Sequence, residues 1–128
     1  MTSSRDIILS NFAPSDHFRT GSFVDQLHEQ SVWDEAAYWR LDKALYDCHQ
    51  PGKFSGGDES LIWPVFRIYS YLNVLLRAHV HPADGFVIRD MTEEDFHDWC
   101  ERFQLTFEGF MKGHMLDNDA FEKINPLI

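Results

Sequence analysis

The residues with most capacity for chemistry are histidines, cysteines and carboxylates, and their spacing decides what they can do. His79, His81 and Asp84 put three potential ligands within six residues, and a His-x-His pair occurs in real metal sites. They fall where a helix gives way to the Pro82 turn, and a histidine near a helix C-terminus is sufficiently explained by the helix dipole. The structural reading is preferred, and a small metal-dependent enzyme using His79, His81 and Asp84 is the alternative. His28-Glu29 lacks the second histidine of an H-E-x-x-H zinc helix, because position 32 is Val. Cys48-His49 are sequence neighbours, a spacing that does not set a thiolate and its base across a cleft. Cys48 reads instead as a core thiol, and Cys100 is the only other cysteine. Gly56-Gly57 lacks the Lys-Ser/Thr of a phosphate-binding loop. No catalytic set, metal site or cofactor follows from these residues.

Carboxylates form the remaining pattern. At about 100° per residue, Glu94, Asp98, Glu101 and Glu108 share one face of a helix spanning Thr92 to Gly113. Exposed carboxylates do no acid–base work without a desolvating cleft. Glu94 and Glu101 lack a base at i,i+4, whereas Asp98 has Arg102 and Glu108 has Lys112. The bland reading is a solvated helix face, and the sharper one is a docking row for a basic partner.

These residues need elements to carry them. On the other side of the same helix, Phe96, Trp99, Phe103, Phe107 and Phe110 recur at steps of three and four, the period of a core-facing stripe. Thr92 caps the helix, with Glu93, Glu94 and Asp95 in its first turn. Gly109 either ends it or admits another backbone. Earlier in the chain, Ser3 with Asp6 predicts a short helix through Asn11, and Ser22 with Asp25 predicts another. Asp34 starts a third, with Tyr38, Leu41, Leu45 and Cys48 on its apolar side. Residues 49–58 are a Gly- and Pro-rich loop.

Pro64 fits the first position of the next helix, with Trp63 near its cap, and Pro82 follows its end near Val80. Arg67, Ser70, Asn73 and Arg77 make a narrow polar stripe on this otherwise apolar helix, either solvated or paired with carboxylates of a neighbour. Phe86 to Arg89 reads as a short extended piece, and Asp117 to Ile128 as a last turn. The expected fold is all-α, a single domain of residues 1–128 with about four main helices around the apolar helix 64–80.

Composition narrows the function classes. Twenty-one acidic against eleven basic residues give a net charge of −10, which argues against a nucleic-acid partner and for a basic one. The apolar run from Leu61 to Val80 is interrupted by Arg67 and Arg77, against a membrane span, and residues 1–12 do not read as a signal peptide. A cytoplasmic location is expected.

Gly21-Ser22-Phe23, Tyr38-Trp39-x-Leu41, the apolar helix from Val65 to His79, Glu101-Arg102-Phe103 and Phe107-Glu108-Gly109-Phe110 occur in an order that resembles the immunity protein 41 family. These small bacterial proteins are encoded beside polymorphic toxins, including those of contact-dependent growth inhibition. The likeness runs from about Asn11 to Lys112, with Met111 where the pattern often has a second Phe. It implies a non-catalytic cytoplasmic inhibitor that occludes a cognate toxin C-terminal domain, in many cases a nuclease with a basic groove. It also implies that Gly21, Ser22, Phe23, Trp39, Arg102, Phe103, Phe107, Gly109 and Phe110 serve the scaffold. The acidic row is assigned to toxin binding from charge alone. An acidic adaptor in an unrelated assembly is a further alternative.

Overall fold

Among the described residues every α-helix begins where a side-chain oxygen takes the hydrogen bond that a missing backbone carbonyl would have accepted. The computed structural model describes residues 2–53 and 58–128, so Gly56 and Gly57 lie outside the described residues. Among these residues there are five α-helices and no strand. Helix α1 (Ser4–Ser10) is capped by Ser3, α2 (Phe23–Gln30) by Ser22 and α3 (Glu35–Cys48) by Asp34. Helix α4 (Glu59–Val80) is capped by Asp58 and α5 (Glu93–Lys112) by Thr92. A single 3₁₀ turn, Asn118–Ala120, follows. Residues 86–89 pair into no ladder; the amide of Arg89 donates to the Ser31 carbonyl instead.

Helix α3 is the most enclosed element. Ala37, Tyr38, Trp39, Leu41, Asp42, Ala44 and Leu45 are all buried, an arc well over half of its circumference. It packs against α1, α2 and α5, while α4 closes the core against α1, α2 and α5. The aromatic stripe of α5 points inward as its spacing predicts. Phe103 stacks on Tyr69 of α4 at 5.3 Å, and Trp99 meets Trp33, Tyr38 and Trp39 at 4.9–5.2 Å. Phe23 completes this aromatic cluster edge-on to Trp33 and Tyr38.

Helix α4 corrects the expectation at Pro64. The helix starts five residues earlier, because Asp58 accepts hydrogen bonds from the Ser60 amide and hydroxyl at 3.0 and 2.6 Å. Pro64 is therefore interior, its ring buried in the core, and the Ser60 carbonyl has no i+4 amide to receive. Trp63 is not at a cap; it lies on the outer face, 57% exposed, with Phe66 at 51% and Val74 at 47%. Arg67, Ser70, Asn73 and Arg77 share that face, so the exposed side is wider and more apolar than a polar stripe. Of the two readings of the stripe, the solvated one holds: among the described residues Arg67 and Arg77 have no carboxylate partner. Arg67 lies instead over the Tyr71 ring at 5.5 Å.

Candidate partner-binding surface

The solvent side of α5 is built by its opposite side. With Phe103, Phe107 and Phe110 held in the core, residues half a turn away have no choice but to face outward. Glu94, Glu101 and Glu108 are exposed and Asp98 is half-buried, so the row is presented along one face. Glu108 meets Lys112 at 3.8 Å; among the described residues no cation pairs with Glu94, Asp98 or Glu101. Asp95 on the flank is different. Lys123 hydrogen-bonds it at 2.9 Å and holds its carboxyl below the usual range.

What fixes the rotation of α5 is Arg102, which is wholly buried. Its Nε and Nη2 donate to the two oxygens of Asp42 at 3.1 and 2.6 Å, a bidentate pair across α3 and α5. Nη1 donates to the carbonyls of Asn118 and Lys123 at 3.0 and 3.2 Å. The guanidinium also lies 4.5 Å from the Phe121 ring centroid and 5.4 Å from those of Trp39 and Tyr46. Asn125 then donates to Asp42 at 2.9 Å and to the Trp39 carbonyl at 3.0 Å. Asp42 and Asn125 were not identified from sequence. A signal for Asp42 existed: it falls between Trp39 and Tyr46 at helical spacing, a carboxylate on an inward face.

The other expected scaffold positions divide. Phe23, Trp39, Phe103, Phe107, Gly109 and Phe110 are buried. Gly21 and Ser22 are a surface device: Gly21 adopts φ +89°, its amide donates to Asp25 at 2.8 Å, and Ser22 caps α2. Gly109 admits a backbone rather than ending the helix. A Cβ there would lie 2.9 Å from the His114 carbonyl oxygen, and the chain turns at Gly113 (φ +77°) against Lys53.

The three residues weighed as metal ligands each serve local backbone. His79 Nδ1 accepts from the Ile88 amide at 2.9 Å, His81 Nδ1 from Ala83 at 3.1 Å, and Asp84 from Phe86 at 2.9 Å. They form no group of three ligands, nor does any other His, Cys, Asp or Glu set among the described residues. The His79 ring lies 4.7 Å from that of Phe96, and burial holds its pKa below the usual value. Burial pushes the Cys48 thiol up and the Cys100 thiol up to about 11, which disfavours the thiolate of each at neutral pH.

One cleft escaped sequence reasoning. Phe12, Phe18 and Ile68 line a cavity of about 400 Å³, with Tyr71, His28 and Arg67 at its edge. The Tyr71 hydroxyl meets His28 Nδ1, and His28 Nε2 lies 3.4 Å from Glu29. Burial raises the Tyr71 pKa, so the hydroxyl stays neutral and can only share hydrogen bonds. No helix among the described residues is long and apolar enough to cross a membrane. No protein-family model matches this chain, and neither does any curated protein or solved structure.

Proposed function

We propose that this chain is a non-catalytic inhibitor that binds and neutralises the C-terminal domain of a cognate bacterial toxin, as its resemblance to the immunity protein 41 family implies. The observation that supports this reading is the α5 surface. A rigidly anchored helix presents Glu94, Asp98 and Glu101 outward, and among the described residues no cation pairs with them. Like charges held unpaired on one helix oppose folding weakly. A basic groove laid over them would relieve that repulsion and be steered to it by the net charge of −10. The inhibitor would act in the cytoplasm, where a delivered toxin meets its target, and by occlusion rather than by turnover.

The decisive experiment is co-expression with the toxin gene encoded next to this one. Protection of growth and a stoichiometric complex on gel filtration are expected. If the cells die and the two proteins elute separately, the inhibitor reading is abandoned.

A further inference from the structure

The outer face of α4 is the odd surface of an acidic molecule. Over Glu59–Val80 the charged residues are Glu59, Arg67 and Arg77, so this face is not acidic while the chain as a whole carries −10. It also holds Trp63, Phe66 and Val74, each about half exposed, and Trp, Phe and Arg are the residues that concentrate in interface cores. Beside it, Phe66 continues into a groove of about 310 Å³ between α4 and α5, lined by Tyr69, Phe107 and Met111.

The order of residues along this face is complementary to its own reverse. Glu59 stands at one end and Arg77 and His81 at the other; Trp63 and Phe66 precede Ser70, and Val74 and Arg77 follow it. We infer that two copies of the chain associate through the outer faces of α4, antiparallel, with Ser70 at the two-fold axis.

In that register Phe66 lies on Val74 of the second copy and Trp63 under Arg77 of the second copy, a cation–π pair. Glu59 lies between Arg77 and His81 of the second copy. The two-fold repeats each of these pairings, as an isologous interface requires. A small side chain at the crossing lets the helices approach. Parallel alignment would set Glu59 on Glu59 and Arg77 on Arg77, and lay the helix dipoles side by side in the same direction. Among the described residues neither Glu59 nor Arg77 has an ion-pair partner within the chain, so both are free for this exchange.

Two 22-residue helices crossing at about 8–10 Å bury on the order of 1,000 Å² in total, at the low end for a specific contact. The dissociation constant is therefore expected in the micromolar range. This dimer needs no toxin and is independent of the inhibitor reading.

Sedimentation velocity of the purified chain over a concentration series tests it. A reversible shift from 15.0 kDa to twice that mass is expected. Glu59→Arg and Arg77→Glu should each weaken association at least tenfold, and the two together should recover part of the loss, because the ion pair re-forms in reverse while the Trp63 cation–π contact does not. Ser70→Cys should give a disulfide-linked dimer on mild oxidation, with Val80→Cys as the negative control. A monomer at every concentration up to about 1 mM would overturn the proposal. So would a dimer indifferent to both charge reversals, since it would use another surface. All four positions are exposed or half-buried, so these variants should keep the wild-type circular dichroism spectrum.

Discussion

At the scale of single residues, the buried pair of Arg102 and Asp42 decides more than any other contact. Nearly every guanidinium donor has a partner, which is what makes a charge tolerable inside a protein. Arg102→Met removes the cation and leaves Asp42 charged and buried, so urea unfolding should show a loss of about 3–5 kcal/mol. Adding Asp42→Leu removes the stranded charge, and the double variant should be more stable than Arg102→Met alone. A loss under about 1 kcal/mol for Arg102→Met would mean the pair is no better than a surface ion pair. His79 offers a second test. Its folded pKa lies below the ordinary 6.5, so the unfolded chain takes up the proton first as pH falls. Its contribution to stability is complete above pH 6.5 and is lost as pH drops through the folded-state pKa. His79→Gln keeps an acceptor for the Ile88 amide but has no proton to bind, so its stability should fall less between pH 7 and 5. Parallel pH curves for the two proteins would remove His79 from the acid response.

At the scale of elements, the start of α4 is the point to probe. Asp58 holds the first turn, and that turn carries Leu61 into the core. Asp58→Ala should speed amide exchange over residues 61–63 while leaving the last turn of α4 unchanged. A helix starting at Pro64 would show no such effect. The cap is legible in the sequence once Asp58 and Ser60 are read together, but Pro64 is a stronger local signal and draws the boundary to itself. Four of the five helix starts are legible in the sequence because Ser3, Ser22, Asp34 and Thr92 each accept from the amide three residues ahead. The face of α4 was harder. Helical spacing separates polar from apolar positions, and Trp63, Phe66 and Val74 are apolar yet outward, a fact set by which neighbours exist. The Arg102 junction has the same origin, since Asp42, Asn118 and Asn125 meet only when separate segments converge.

At the scale of the molecule, charge is unevenly distributed. The α5 face is acidic and the α4 face is not, so the two sides differ in the charge of the surface they would complement. Reversing Glu94, Asp98 and Glu101 to Lys together should slow association with a basic toxin domain about tenfold or more at low salt and flatten its salt dependence. Stopped-flow mixing at two ionic strengths measures both, and unchanged rates would place the inhibitory contact on another face. The same substitutions should leave self-association through α4 intact.

The clamp formed by Asn118, Phe121, Lys123 and Asn125 also has a meaning in time. Arg102 leaves the ribosome before the carbonyls that satisfy it, and Asp42 earlier still. Until residues 118–125 have been synthesised, α3 and α5 cannot close on one another without trapping a half-served cation. A chain cut short after Asp117 should therefore stay open to protease although it contains all five helices. Chains that also carry residues 118–125 should be resistant, so that completion of the core waits on this segment rather than on helix formation.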